Sequence, residues 1–279
     1  MRLHPLLSGE MHAPRGLLEA PSGPLRLVRG LEIGRSREDW LWLPIPAFLV
    51  EHPGAGPFLV DTGLHPSVAL DPHQSFGSIA GRLNDFRFEP GQAVAAQLRD
   101  RGVNPADVGL VVMTHLHTDH ASGVSEFPDA TFLVDRREWA SATAARGLPR
   151  GYRTQQFDYG FDWREVDFET GDIDSFGSFG ASIDLFGDGS VRLVSTPGHS
   201  AGHMSLVLRL RGREALLTAD AAYTLRAIRE DVVPLVFHDL HRWRRSLHEV
   251  RRFVDSTPGL VVVPGHDGEA WAQLDDVYE

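Results

Sequence analysis

Thr114-His115-Leu116-His117-Thr118-Asp119-His120 follows directly on the apolar run Leu110 to Met113. Three imidazoles and one carboxylate fall within six residues. Neutral imidazole and carboxylate are good ligands for zinc and similar divalent ions. In an extended segment residues two apart project the same way, so His115 and His117 can grip one ion. Asp119 and His120 follow where the chain is expected to turn into a helix, and can reach a second. Surface histidines in a loop are the plain alternative, and for a lone histidine they would be the better reading.

Three further apolar runs end in the same way. Val191 to Val194 leads into Ser195-Thr196-Pro197-Gly198-His199, Leu216-Leu217 into Thr218-Ala219-Asp220, and Val261 to Val263 into Pro264-Gly265-His266. Val191 to Val194 and Val261 to Val263 have the β-branched content of short strands, and Leu216-Leu217 closes the apolar run Ala215 to Leu217. Neighbouring strand ends can build one site from distant sequence, which argues against the plain alternative.

The pieces in order resemble the metallo-β-lactamase fold superfamily. The likeness rests on Leu59-Val60-Asp61-Thr62-Gly63, the His-x-His-x-Asp-His motif at 115–120, Thr196-Pro197-Gly198-His199, Ala219-Asp220 and Pro264-Gly265-His266. The resemblance implies an α/β fold, a four-layer αβ/βα sandwich with the site at one edge. It implies two divalent metal ions, with zinc the first choice. His115, His117 and His199 would hold the first. Asp119, His120 and His266 would hold the second, Asp220 would bridge them, and Asp61 would orient the ligands.

Within that superfamily the N-acyl-homoserine lactonases are the most similar group. Tyr223 follows Asp220 by three residues, where such enzymes place a tyrosine against the substrate carbonyl. The segments Leu43 to Val50 and Thr196 to His203 also look similar. Thr118 and Ser122 depart from the residues frequent there, which bears on substrate and not on metal. The implied activity is ring opening of a lactone by metal-activated water, with Tyr223 stabilising the oxyanion and Asp119 passing a proton to the leaving alkoxide. A packing role for Tyr223 stays open. So do a metal-dependent thioesterase, esterase or β-lactamase-like hydrolase, and, in another class, a metal- or nucleic-acid-binding module without catalysis.

The rest of the chain sets bounds. With 279 residues, 42 % hydrophobic and 23 % charged, one α/β hydrolase domain over 1–279 is expected. A net charge of −11 disfavours a nucleic-acid partner, which needs clustered cations. The absence of cysteine removes disulfides, thiolate ligands and a cysteine nucleophile. No apolar run suggests a signal peptide or a membrane span, so a cytoplasmic protein with a small-molecule lactone or ester substrate is expected, and a homodimer is left open.

Strands are also expected at Leu25 to Ile33, Pro46 to Val50, Pro57 to Val60, Thr131 to Val134 and Met204 to Leu210. Helices are expected at Gly91 to Arg101, at Arg136 to about Arg146, and after Asp239, where Leu240, Trp243, Leu247, Val250 and Val254 form one apolar stripe. The basic residues of that last helix read as its solvated face. His203 reads as a structural hydrogen-bonding residue. Residues 64–87 and 150–189 lack a clean period and read as loop excursions. Met11 to Leu18 and the loop at Phe76 are candidates for lining an apolar acyl pocket.

Overall fold

The computed structural model describes residues 1–279 except 33, 35, 73–75, 77–84, 146, 148 and 149. Two sheets form its centre. The first contains β1 (Arg2–Ala13), β2 (Leu41–His52), β3 (Gly56–Val60), β4 (Asp85–Arg87), β5 (Leu110–Val112), β6 (Thr131–Asp135) and β7 (Asp162–Val166), in the order β4-β1-β2-β3-β5-β6-β7. The second contains β8 (Asp174–Phe176), β9 (Phe179–Asp184), β10 (Val191–Ser195), β11 (Met204–Leu210), β12 (Arg213–Ala219) and β13 (Val261–Pro264), in the order β13-β12-β11-β10-β9-β8.

Period-two alternation explains the layering. Phe48, Val50, Phe58, Val60 and Val112 point between the sheets, where they meet Leu193, Leu206, Leu208, Ala215 and Leu217. Their sequence neighbours point outward. Leu49, Leu59, Val111 and Phe132 pack on Val94, Ala95 and Leu98 of the helix Val94–Asp100. Val194, Val207 and Leu216 pack on Trp243, Leu247, Val250 and Phe253 of the helix Leu240–Ser256. Strands buried on both faces need covering helices on both, and the result is helix, sheet, sheet, helix.

Topology then gathers strand ends. β3, β5 and β6 are mutually parallel. β10 and β12 both run antiparallel to β11, and β13 is parallel to β12, so β10, β12 and β13 share one direction. Met204 donates its N–H to the Thr114 carbonyl at 3.0 Å and joins the two sheets at this edge.

Most expected elements stand within a few residues of their expected bounds. The hairpin of β2 and β3 is antiparallel. Asp239 caps the helix Leu240–Ser256 by accepting from the N–H groups of His241 and Arg242. Its basic face is solvated and largely paired within the chain, as in Arg245 with Glu249 and Arg251 with Asp231. The third helix is shorter than expected, Arg136–Ala142, and Arg146 lies outside the described residues.

Two readings need correction. Leu25 to Ile33 is not a strand: Arg26–Gly30 is a short helix entered from Leu25 at φ 58°, and Ile33 lies outside the described residues. Its apolar residues found no sheet face, and Leu27 and Val28 are exposed. The strand next to β2 is β1, whose alternation is broken by a register shift between Leu7 and Glu10 at Gly9, with φ 86°. Residues 150–189 are not merely a loop excursion either, since β7 extends the first sheet and β8 and β9 extend the second. Among the described residues no helix is long and apolar enough to cross a membrane.

Candidate metal centre

Asp61, directly after β3, organises the site from beneath. Its backbone is left-handed, with φ 59°, and its carboxylate is buried. Oδ1 accepts the Thr114 N–H at 2.8 Å, and Oδ2 accepts the Thr114 hydroxyl at 2.8 Å. Oδ2 also accepts from His120 Nδ1 at 2.8 Å. One carboxylate thus fixes the end of β5 and the imidazole that follows it.

The six residues 115–120 split as their spacing predicts. His115 and His117 lie on the extended segment, and Thr118–Ala121 forms the first helical turn, carrying Asp119 and His120. Beyond β10, β12 and β13 come His199, Asp220 and His266. His199 Nε2 lies 3.2 Å from His115 Nε2 and 2.8 Å from His117 Nδ1. Asp220 sits between two groups. Its Oδ2 is 3.2 Å from His199 Nε2 and 3.7 Å from His115 Nε2. Its Oδ1 is 3.3 Å from His266 Nε2 and 3.5 Å from His120 Nε2. Asp119 Oδ2 completes the second group, 3.6 Å from His266 Nε2 and 3.8 Å from His120 Nε2. All seven residues expected as metal ligands are therefore brought together.

The imidazoles of His115, His120 and His266 are each turned by their other nitrogen, as metal-binding histidines commonly are. His120 donates Nδ1–H to Asp61, and His266 donates Nδ1–H to the Pro44 carbonyl at 2.8 Å. His115 Nδ1 lies 3.1 Å from the Thr114 hydroxyl, whose hydrogen is already given to Asp61, so the imidazole is the donor there. His203 stands behind the cluster. Its Nε2 accepts the Asp220 N–H at 3.0 Å, and its Nδ1 pairs with the Thr196 hydroxyl at 2.9 Å. Burial pushes its pKa down to about 3, so it is a neutral acceptor that holds Asp220, as its hydrogen-bonding reading expected.

The chemistry of this donor set fits a cation. Burial, and then the neighbouring histidines, hold His115 well below the ordinary histidine value. Burial does the same at His199. Both are therefore neutral, with lone pairs aimed inward. On the other side burial opposes charge, but Asp61, Asp220 and Asp119 outweigh it and raise His120. At His266 burial is likewise outweighed by Asp220 and Asp119. This half of the site calls for positive charge. His120 Nε2 and Asp220 Oδ1 are buried with no hydrogen-bond partner among the described residues, and such orphans are rare unless an ion or water answers them. The ligand atoms form three groups, each spanning no more than 4.8 Å: His115, His117, His199; His115, His120, Asp220; and Asp119, His120, His266.

The cluster opens into a cavity of about 540 Å³. Met11, Leu17, Phe76, Val236 and Phe237 give it an apolar wall, while Thr118, Asp119 and Tyr223 lie near the ligands. Met11, Leu17 and Phe76 were the apolar lining expected from sequence. The Tyr223 hydroxyl lies 3.2 Å from His199 Nδ1. With His199 Nε2 turned to the cluster, Nδ1 carries the hydrogen and donates it to the tyrosine oxygen. The phenolic hydrogen is left for the cavity. Burial first, then Asp220 and Asp119, hold the phenol well above its ordinary pKa, so it is a donor and not a base.

The metallo-beta-lactamase superfamily model matches residues 40–266. The chain belongs to this superfamily. It is 36 % identical over 254 residues to the N-acyl homoserine lactonase AttM of Azorhizobium caulinodans, covering 90 % of this chain and 92 % of that protein. It is 29 % identical over 229 residues to the N-acyl homoserine lactonase of Bacillus cereus, covering 81 % and 82 %. Among solved structures, an N-acyl homoserine lactone hydrolase with N-hexanoyl-L-homoserine bound at its catalytic metal centre superposes with TM-score 0.78 at 22 % identity, over 98 % of this chain and 96 % of that one. The αβ/βα sandwich is thus the metallo-β-lactamase fold, and the chain carries the donor set of a metal-dependent hydrolase of that superfamily.

The metallo-β-lactamase scaffold also holds residues that the sequence reading passed over. Tyr152 packs its ring 5.0 Å from that of His117, with a backbone bridge between the two residues. Gly151, with φ 93°, lies under the same imidazole, where a Cβ would come within 3.1 Å of His117 Cδ2. Glu138 is fully buried behind the ligand loops. No local pattern marks these residues, because their role comes from packing between segments far apart in sequence.

Proposed function

We propose that this chain opens the lactone ring of N-acyl-homoserine lactones, using two divalent cations, with zinc best suited to the donors. The observation that carries the reading is the two-sided arrangement about Asp220, set at the floor of a cavity with an apolar wall. His115, His117 and His199 would hold one ion, Asp119, His120 and His266 the other, and Asp220 both. When bound, such ions supply Lewis acidity to the ester carbonyl and water made nucleophilic near neutral pH.

The protein's own groups do the rest. Met11, Leu17, Phe76, Val236 and Phe237 bury an acyl chain and orient the ring toward the ligands. Tyr223, its oxygen already accepting from His199, gives its hydrogen to the carbonyl oxygen as negative charge develops there. Asp119, the most exposed carboxylate of the cluster, faces the cavity, takes the proton released by the attacking water and passes it to the departing ring oxygen. No protein nucleophile is required, in keeping with the absence of cysteine. The two relatives named N-acyl homoserine lactonase support the choice of substrate.

The test is ring opening of N-acyl-homoserine lactones of graded chain length by zinc- or cobalt-loaded protein, followed by proton release. Turnover that rises with chain length and vanishes on chelation is the expected result. No turnover by protein holding two ions would overturn the substrate and turn attention to thioesters, simple esters and β-lactams.

A further inference from the structure

Glu138 lies in the first turn of the helix Arg136–Ala142, with no exposed surface. A buried carboxylate is costly unless its oxygens are answered. Here Oε1 accepts the Leu116 N–H at 3.0 Å, and Oε2 accepts the Gly202 N–H at 3.0 Å. Leu116 stands between His115 and His117. Gly202 stands three residues beyond His199, on the turn that carries it. The two oxygens of one side chain therefore tie together the two loops that bring three histidines to one point.

A third link runs through Tyr152. Its buried hydroxyl faces Glu138, Ser141 and the Ala201 backbone. Its ring lies against the ring of His117. The close approach is enforced at Gly202, where a Cβ would come within 2.4 Å of the Glu138 backbone nitrogen and 2.5 Å of Asp135 Oδ1. Asp135 is itself anchored, accepting from the Arg137 backbone and side chain. The second ligand group is fixed separately: His120 by Asp61, and His266 by the Pro44 carbonyl.

We infer that Glu138 is a positioning residue for one half of the centre only, setting the spacing of His115, His117 and His199 without touching metal or substrate. The inference rests on the two-ion reading above. In Glu138→Gln one oxygen becomes an NH₂ group that faces an N–H donor, so one of the two loop ties is lost at nearly unchanged volume.

The test is a Co2+ titration of the full-length metal-free protein, followed by visible absorption against a competing chelator. His117→Ala and His266→Ala mark which binding step belongs to which half. Glu138→Gln should weaken the step that His117→Ala removes by about 10- to 100-fold, the usual cost of losing a ligand's supporting partner, and leave the other within about twofold. Tyr152→Phe should weaken the same step by less. Val250→Ala, about two turns along the helix Leu240–Ser256 from the Trp243 that meets the His199 loop, thins core packing and should lower Tm and move neither step. Equal weakening of both steps by Glu138→Gln, or of neither, would overturn the inference. If the unaltered protein binds fewer than two ions, the two-ion reading fails and the inference with it.

Discussion

Tyr223→Phe separates a catalytic tyrosine from a packing one. The ring is almost fully buried, in a cluster with Ala13, Leu18 and Leu43, and phenylalanine preserves that packing. The change removes one hydroxyl. Its structural cost is the 3.2 Å hydrogen bond with His199 Nδ1, worth about 0.5–1.5 kcal/mol net. Its catalytic cost is larger if the free hydrogen meets the oxyanion. A single preorganised donor to such an oxygen is worth about 2.7–4 kcal/mol in a site that depends on it. Here a cation would share the charge, so roughly 1.4–2.7 kcal/mol is the better figure, a 10- to 100-fold fall in turnover number. The loss should fall on kcat more than on KM, since the bond strengthens only as charge develops. The assay is proton release with N-hexanoyl-homoserine lactone at matched metal content, alongside a thermal melt. Turnover within about twofold of the unaltered protein, at full metal loading, would refute the oxyanion role and leave Tyr223 as packing.

Three other outcomes follow from the geometry. Removing metal should abolish hydrolysis and lower Tm by on the order of 10 °C, since an ion at about a thousand times its Kd contributes about 4 kcal/mol to the folded state; a melt unchanged by chelator would contradict the site. Gly198→Ala should destabilise by roughly 3 kcal/mol or more, because φ is 136° and a Cβ would stand 2.1 Å from the Trp243 backbone nitrogen, so both strain and overlap act on the loop before His199; denaturant unfolding measures it. Arg245→Ala should shift Tm by less than about 2 °C and leave activity unchanged, because its pairing with Glu249 is on the solvated face; a large loss of either would show that this helix face does more than meet water.

The ligands could be read from sequence because each is placed by a local rule. A short apolar strand ends, the chain turns, and a histidine or aspartate stands in the first residues beyond. That pattern holds at His115, His199, Asp220 and His266, and the sheet topology turns it into one point in space. The layering was legible for the same reason, since alternate residues such as Phe48 and Leu49 must find different apolar faces. What could not be read depended on partners far along the chain. β1 alternates poorly because Gly9 bulges it, and Leu25 to Ile33 alternates without having a sheet to join. Glu138 looks like any acidic residue in a first helical turn, and only the converging N–H groups of Leu116 and Gly202 give it a role.

The same division separates reaction from substrate. The donors stand at the ends of strands buried on both faces, so their geometry is held by the core, and a divalent ion is what they suit. The cavity wall is assembled differently. Met11 and Leu17 come from the N-terminal strand and the short helix after it, Phe76 from the connection between β3 and β4, and Val236 and Phe237 from the connection before the long helix. Met11 is held in the first sheet, paired with Leu43 and Phe86, whereas Leu17, Val236 and Phe237 lie outside the strands, on segments of the kind that vary more readily than the sheets they join. Thr118 sits where the two meet, inside the metal motif yet lining the cavity. A larger side chain there would take up part of the cavity. The donor set is therefore held by the strand ends, while Thr118 and the loops that face it line the space in front of it.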